Sequence, residues 1–173
     1  NYKSEGTSDG FRMNTTNTNS GGWDSSYARK TLLGNSGTPT NPPSGSLLAA
    51  LPSDLREVMK SVTKYTSNTG RHNQSSGVTS TVDYLFFLSE FEVQGKRTNA
   101  NQYEKNYQLQ YDFYRAGNSK IRYKHNATSD ECSWWSRSAD YTNNQWNTIS
   151  SYDGDSFSEN ASKSLGVAPG FCV

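Results

Sequence analysis

Few side chains in this sequence of 173 residues could act as nucleophiles, bases or metal ligands. His72 and His125 are its only histidines, and neither stands beside a serine or cysteine at the spacing of a known nucleophilic motif. We interpret both as solvated surface residues. The acidic pair Asp130 and Glu131 lies in loop-like sequence, where electrostatic duty is commoner than proton transfer. The sequence therefore predicts a chain without a catalytic site.

A calcium loop is suggested by Asp153 and Asp155. Such a loop needs glycine at its sixth position and a bidentate glutamate at its twelfth. Counted from Asp153, those positions are Ser158 and Ser164. We instead interpret residues 152–155 as a hairpin turn of the Asp-Gly type, and we predict neither a metal ion nor a cofactor.

Cys132 and Cys172 are the only cysteines, and they are 40 residues apart. This spacing excludes a CxxC metal or redox pair. A disulfide between them would close a long loop and stabilise the fold, but two buried thiols fit the sequence equally well. Both alternatives stay open at this point.

Residues 140–160 are unusual because Tyr, Trp, Asn, Ser, Thr and Asp fill nearly every position. Tyr and Trp provide large rigid contact areas, and the short polar side chains provide adaptable hydrogen bonds, as in antibody loops. The same combination suits sugars, whose faces stack on aromatic rings. Composition thus leaves a protein ligand and a glycan ligand open. The predicted ligand-binding residues are Tyr141, Asn143, Asn144, Trp146, Tyr152, Asp153 and Asp155.

Composition predicts one polar domain. Ser, Thr and Asn supply 59 residues, while 22 aromatic residues provide enough apolar surface to build a core. The 17 basic and 16 acidic residues leave a formal charge of +1, which argues against a nucleic-acid partner. The apolar runs are far shorter than the ~20 residues that cross a bilayer, so membrane insertion is not expected. Because the chain begins with Asn1, we expect a processed form or an excised domain.

The first half of the chain predicts short helices. Asp24 stands as an N-cap before a helix over residues 25–33, which Gly34 would end. Residues 47–59 carry leucines at helical spacing around Pro52, which predicts two abutting helical pieces facing the core.

The later segments predict strands and further helices. Residues 61–67 and 82–88 are interpreted as strands, the second covered on both faces. Ser89 and Glu92 form a capping box for a helix that stops at Gly95. Four tyrosines then recur at helical spacing on one face of a predicted helix, and we interpret this stripe as core. Residues 121–125 alternate in polarity, which predicts an exposed strand. The stripe consists of Tyr103, Tyr107, Tyr111 and Tyr114.

Five segments carry a resemblance to a known group of domains. They are residues 21–23 (GGW), 51–55 (LPSDL), 82–95 (VDYLFFLSEFEVQG), 134–138 (WWSRS) and 166–173 (GVAPGFCV). They resemble an uncharacterised bacterial and phage surface domain with a W-W-L-R-S motif, a variable stretch and a closing G-V-R-P-A-F. The likeness runs from about residue 21 to the C-terminus. Ser136, Ala168 and Gly170 depart from that pattern, replacing Leu, Arg and Ala.

The motif order is also similar to the end of C-type-lectin-like domains of the formylglycine-generating-enzyme branch. That branch includes receptor-binding proteins diversified by retroelements. The resemblance implies an α+β, C-type-lectin-like fold over residues 23–173, with short helices on a small, mostly antiparallel sheet. Residues 1–22 would form a loop or loosely attached edge segment, and residues 136–170 a variable ligand-binding region facing solvent. The copper-dependent activity of the branch needs two neighbouring active-site cysteines and is not carried over.

The resemblance also assigns structural roles to Trp134, Trp135, Arg137, Cys132 and Cys172. Trp134 should be buried, and Arg137 should bond backbone carbonyls or a carboxylate near the terminal strand. The segments that hold Cys132 and Cys172 should lie side by side.

The function implied is a non-enzymatic receptor-binding display domain of a phage tail or a bacterial surface protein. It would sit on the virion or the cell surface, bind a host-cell surface protein or glycan, and form a homotrimer by analogy with tail proteins. The alternative is a carbohydrate-binding module of a secreted bacterial protein.

Overall fold

Short helices dominate the first half of the chain and short antiparallel strands the second, which confirms the predicted α+β class. The structure is a computed structural model that describes residues 11–124 and 127–173. His125 and the end of the strand predicted at 121–125 lie outside the described residues.

Every described helix is short. The α-helices are α1 (Gly22–Ser25), α2 (Leu47–Ala50), α3 (Ser53–Val58), α4 (Glu90–Gln94) and α5 (Asp112–Arg115). A π-helical turn covers Ala28–Leu32, and 3-10 turns cover Ser75–Gly77 and Gln102–Asn106. Within the described ranges, no helix combines the length and the apolar character needed to span a membrane.

The strands form four small antiparallel sheets. They are β1 (Val62–Ser67), β2 (Val78–Asp83), β3 (Phe86–Phe87), β4 (Arg122–Lys124), β5 (Ala127–Cys132), β6 (Trp134–Ala139), β7 (Trp146–Ile149), β8 (Ser156–Glu159) and β9 (Pro169–Gly170). Strand β1 pairs with β2, β3 with β9, and β4 with β5, while β6, β7 and β8 form one three-stranded sheet. The C-terminal β9 therefore returns to the middle of the chain.

Adjacent tryptophans on β6 divide the core. Successive side chains of a strand point to opposite faces. Trp135 therefore packs in the larger apolar cluster, with Trp23, Phe87 and Trp146, whereas Trp134 packs in a smaller one. The smaller cluster consists of Trp134, Val93, Tyr114 and Ile149.

Residues 11–21 form a loop, but this loop is not loosely attached. Met13 belongs to the larger apolar cluster, and Phe11 makes a β-bridge with Leu165. The indole Nε1 of Trp135 also donates to the Phe11 carbonyl at 2.9 Å. This loop is therefore packed against the rest of the described chain.

The first helix does not run continuously from an Asp24 cap. Asp24 lies inside α1, and the backbone becomes extended at Ser26. The Ser26 hydroxyl donates to the Trp23 carbonyl and accepts from the backbone N–H of Arg29. Ser26 thus ends one helical piece and caps the next, which splits the predicted helix.

The single strand predicted over residues 82–88 is wrong. The chain leaves β2 after Asp83 and enters β3, in another sheet, at Phe86. The side chain of Asn35 accepts from the backbone N–H groups of Tyr84 and Leu85 and donates to the Leu85 carbonyl. These side-chain hydrogen bonds take the place of strand-to-strand backbone hydrogen bonds at Tyr84 and Leu85, the two residues between the strands.

Other local predictions are confirmed. Helices α2 and α3 abut at Pro52 as expected, although Val58 is exposed. The Ser89 and Glu92 capping box is complete, and Gly95 ends α4 with a φ of +69°. A hairpin connection joins β7 to β8 where the Asp-Gly sequence predicts a turn, but it spans residues 150–155, and Asp153 does not take the positive φ of a two-residue Asp-Gly turn.

Candidate functional site

The predicted tyrosine stripe is not a helix. The chain forms a 3-10 turn at Gln102–Asn106, then a stretch without regular secondary structure, and then α5. We call residues 107–111 of this stretch the outward segment. Two glutamines anchor it, because Gln108 Nε2 donates to the Tyr65 carbonyl and Gln110 Nε2 donates to the Val93 carbonyl.

The outward segment has inverted polarity, because its polar side chains are directed towards the protein and its large apolar ones are exposed. Its two glutamines point towards the protein, and its other three side chains are exposed. Tyr107 is 55% exposed, Leu109 84% and Tyr111 38%. An exposed row of large apolar side chains is typical of an interaction surface rather than of a solvated loop.

These residues form one wall of a groove of about 900 Å³, which we call the aromatic groove. The C-terminal Gly170, Phe171 and Cys172 supply further lining. The remaining lining residues are Phe86, Leu88, Glu92, Asp112, Phe113, Tyr114 and Arg122, together with residues 107–111. Elements distant in sequence thus contribute to one concave, mainly aromatic surface.

The glycine at position 170 has a steric reason. A Cβ at this position would come 2.8 Å from Cε2 of Phe86, closer than real side chains approach. Glycine therefore lets β9 lie against the Phe86 ring that lines the groove.

A buried ion pair lies beneath the groove. Arg137 donates to both carboxylate oxygens of Glu92 and to the Phe87 carbonyl. Lys64 Nζ lies 3.1 Å from Glu92 Oε1 and 4.0 Å from the Phe86 ring centre. Burial by itself would raise the pKa of Glu92, but the charges of Arg137 and Lys64 and the hydrogen bonds to the carboxylate lower it to about 2.

A second buried carboxylate, Glu104, touches the groove wall through Gln108. Glu104 accepts hydrogen bonds from the Ser67 N–H, the Ser138 hydroxyl and Gln108 Nε2. Burial raises the pKa of Glu104 to about 7, and these hydrogen bonds oppose that rise only in part.

The predicted ligand-binding residues do not form one patch. Tyr141, Asn143 and Asn144 precede β7, whereas Tyr152, Asp153 and Asp155 follow it. The four residues of β7 separate the two groups by about 13 Å along the strand.

The first group belongs to a loop that is fixed from inside. The Asp140 carboxylate accepts from Thr142 and from the backbone and side chain of Asn143. Asn19 Nδ2 lies within 2.9 Å of the carbonyl oxygens of Asp140, Asn143 and Gln145. Tyr141 is partly covered by the Arg97 guanidinium, 4.3 Å from its ring centre.

The second group lies on the exposed β7–β8 turn. Tyr152 is 88% exposed, and Asp153 and Asp155 face solvent. The Asp153 carboxylate accepts from the Asp155 N–H, and the pKa of Asp153 is lowered mainly by this bond. This is the local geometry of a tight turn.

Trp146 is not a surface contact. Its side chain is 0% exposed and packs in the larger apolar cluster, with Nε1 donating to the Thr18 carbonyl. Alternation along β7 puts it on the inner face, so we remove it from the predicted ligand-binding set.

The placements predicted for Trp134 and Arg137 are confirmed. Trp134 is buried, and the partners of Arg137 include the carbonyl of Phe87, which pairs with Pro169 of the terminal strand. Trp135 is also buried.

The cysteines, both in the described part of the chain, are not joined by a disulfide. Cys132 is buried on β5. Cys172 is exposed, and its backbone forms an isolated antiparallel β-bridge with Lys60. Of the histidines, His72 is exposed as predicted. Across residues 11–124 and 127–173, no three His, Cys, Asp or Glu side chains cluster as a metal site would require.

Sequence reasoning missed the aromatic groove, although a signal for part of it is present. Residues 107–113 (YQLQYDF) alternate apolar and polar side chains at period two, the pattern of an extended segment. The tyrosines alone also fit helical spacing, which concealed that alternation. The contribution of Phe171 could not be read locally, because it depends on the pairing of β9 with β3.

The fold and the groove together define an α+β domain with a concave aromatic surface. Residues 7–173 match a family described as "Domain of unknown function (DUF6273)", and the chain belongs to that family. No curated protein and no solved structure gives a significant match to the chain.

Proposed function

We propose that this chain is a non-enzymatic ligand-binding domain and that the aromatic groove is its contact surface. The observation that carries the proposal is the inverted polarity of the outward segment, which holds Tyr107, Leu109 and Tyr111 in solvent. Aromatic residues are enriched in the energetically dominant contacts of protein interfaces, where they combine large area with low entropy cost.

The charged groups at the groove favour binding over catalysis. Glu92 is held ionised by Arg137 and Lys64, with a pKa of about 2, which is unsuited to proton transfer near neutral pH. Arg122 donates to the Tyr114 hydroxyl at 2.6 Å, and Asp112 pairs with Arg115. Glu92 and Asp112 thus have ion-pair partners, whereas Arg122 donates only to neutral oxygens, so the groove offers a ligand contact area and one cationic group.

The proposed setting follows from the resemblance to C-type-lectin-like, retroelement-diversified proteins. It is a receptor-binding display domain of a phage tail or bacterial surface protein, on the virion or cell surface, trimeric by analogy. Variation in residues 136–170 would alter the surface chiefly at the 141–145 loop and the 150–155 turn, because most residues of β6 and β7 are buried.

A carbohydrate-binding module is the second candidate. The observation that favours it is Asp112, whose carboxylate is highly exposed between the aromatic residues Tyr111 and Phe113. A carboxylate beside aromatic rings can bind sugar hydroxyls while a ring stacks on the sugar face.

The test uses a displayed random dodecapeptide library and a glycan array, each applied to the whole chain. Phe113→Ser and Leu109→Ser should weaken binding of the selected probe at least tenfold, or about 1.4 kcal/mol, without loss of stability. The matched control is Tyr152→Ser, an exposed aromatic residue outside the groove lining. Binding that survives both groove variants but is lost in Tyr152→Ser would refute the groove as the contact surface.

A further inference from the structure

We infer that the aromatic groove binds an apolar segment of a partner protein that carries one acidic side chain, and that the carboxylate of this side chain pairs with Arg122. This inference rests on the proposed function and names the ligand class of the groove. The other side chains of the segment would be apolar and would cover the exposed hydrophobic lining, which includes Leu109, Phe113 and Phe171.

The first argument is that Arg122, which lines the groove, has unused hydrogen-bond donors. Its Nη1 donates to the carbonyls of Ser119 and Ile121, and its Nη2 donates to the Tyr114 hydroxyl. These bonds use at most three of the five N–H groups of a guanidinium, so at least two have no acceptor in the described part of the chain. A carboxylate is the acceptor that fits a guanidinium best, because it can accept through both of its oxygens.

The second argument is that the charge of Arg122 has no counterion. Its acceptors are neutral, and none of the ion pairs in the described part of the chain includes it. Its guanidinium carbon lies 5.6 Å from the ring centre of Tyr114, 5.7 Å from that of Trp134 and 6.0 Å from that of Phe113. These rings attract the cation but supply no opposite charge, and burial raises the pKa of Tyr114, which keeps its hydroxyl neutral. A ligand that brings an anion would therefore neutralise a positioned and partly buried cation.

The third argument is the charge balance of the groove. Its lining contains two carboxylates, Glu92 and Asp112, and each already has a cationic partner. Among the lining side chains and the charged side chains bonded to them, cations outnumber anions even when the buried Glu104 is ionised. The cations of this set are Lys64, Arg115, Arg122 and Arg137. A ligand with one carboxylate improves this balance, whereas a basic ligand would worsen it.

The fourth argument, from exposure, favours a protein segment as the source of the carboxylate. Leu109 is 84% exposed, Phe113 54% and Phe171 44%, so the apolar lining is open to solvent. Sites for small molecules bury most of the surface of the ligand, which a lining this exposed does not do. Aromatic side chains and arginine are enriched where two protein surfaces meet. The groove therefore fits a longer apolar segment better than a free carboxylic acid.

The experiment starts with dodecapeptides selected on the whole chain from the displayed random library. The acidic residue of a selected peptide is replaced by its amide, and both peptides are measured against the parent chain and against Arg122→Gln. The exchange in the peptide also tests the pairing on the parent chain itself, so this measurement does not depend on the folding of a variant. The matched control is Arg71→Gln, which removes the charge of an exposed arginine outside the groove lining that forms no ion pair in the described part of the chain.

We expect selected peptides with one Asp or Glu among apolar residues. Loss of the peptide carboxylate should weaken binding about tenfold on the parent chain and on Arg71→Gln, but at most about twofold on Arg122→Gln, because the pairing is already lost there. Arg122→Lys keeps the charge without the planar fork and should give an intermediate affinity. Added salt should weaken binding of the acidic peptide more on the parent chain than on Arg122→Gln.

Selected peptides without an acidic residue, or an equal loss from the amide exchange on the parent chain and on Arg122→Gln, would overturn the inference. Phenylbutyrate, an apolar acid that is not a peptide, would also overturn it by binding the groove as tightly as the selected peptide does. In each of these cases the proposed function still stands if Phe113→Ser weakens binding. Binding that neither Phe113→Ser nor Leu109→Ser changes would overturn the proposed function as well.

Discussion

Two buried glutamates stabilise the folded chain in opposite pH ranges. The pKa of Glu92 is about 2 in the fold, below its ordinary value of 4.5, so its contribution is present above pH 4.5 and is lost as the pH falls through 2. The pKa of Glu104 is raised from 4.5 to about 7, so its contribution is fully present below pH 4.5 and is lost as the pH rises through 7. The two effects together favour a stability maximum near pH 4.5.

Glu104→Gln tests the upper part of this profile. Glutamine cannot ionise, so the variant should lose less stability than the parent chain between pH 5 and pH 8, by on the order of 3 kcal/mol. Urea unfolding across this pH range measures the difference. Parallel profiles for the two proteins would show that Glu104 does not titrate with a raised pKa.

Trp146 and Tyr152 should respond differently to truncation although only six positions separate them in sequence. Trp146→Ala empties a site in the larger apolar cluster and should lower the free energy of unfolding by about 3 to 5 kcal/mol. Tyr152→Ala removes an exposed side chain and should change it by less than about 0.5 kcal/mol. Thermal unfolding of both variants checks the assignment, and comparable losses would contradict it.

At the scale of elements, the change of sheet between β2 and β3 depends on one side chain. Asn35→Ala removes three hydrogen bonds to Tyr84 and Leu85 and should destabilise the chain by about 1 to 3 kcal/mol. Asn35→Asp keeps the acceptor but sets a carboxylate oxygen against the Leu85 carbonyl, so its loss should be at least as large. Denaturant midpoints for the pair measure this, and an alanine variant as stable as the parent chain would contradict the role of Asn35.

Elements whose signals are local could be predicted from the sequence. The Ser89 capping box, the break at Pro52 and the Asp-Gly turn each depend on residues within a few positions of one another. The errors arose where a distant side chain decides the backbone, as Asn35 does at residues 84–85 and as Gln108 does against Tyr65. The groove escaped prediction for the same reason, since its walls meet only through the β3–β9 pairing.

At the scale of the whole molecule, two kinds of surface are separated. The aromatic groove is built from rigid, internally bonded elements, whereas the 150–155 turn is an exposed hairpin connection. A domain of this design can keep one constant contact surface while its loops differ. Under the proposed function, the groove supplies the binding energy and the loops are secondary.

Amide hydrogen exchange with and without the tightest library peptide tests the central claim most directly. The N–H groups of Gln108, Leu109 and Gln110 have no acceptor among the described residues, so they should exchange fast alone, and binding in the groove should slow the exchange of those that face it by at least tenfold. Amides of the 141–145 loop and the 150–155 turn should keep their rates. Protection confined to that loop or turn, with residues 108–110 unchanged, would contradict the assignment of the aromatic groove as the binding surface.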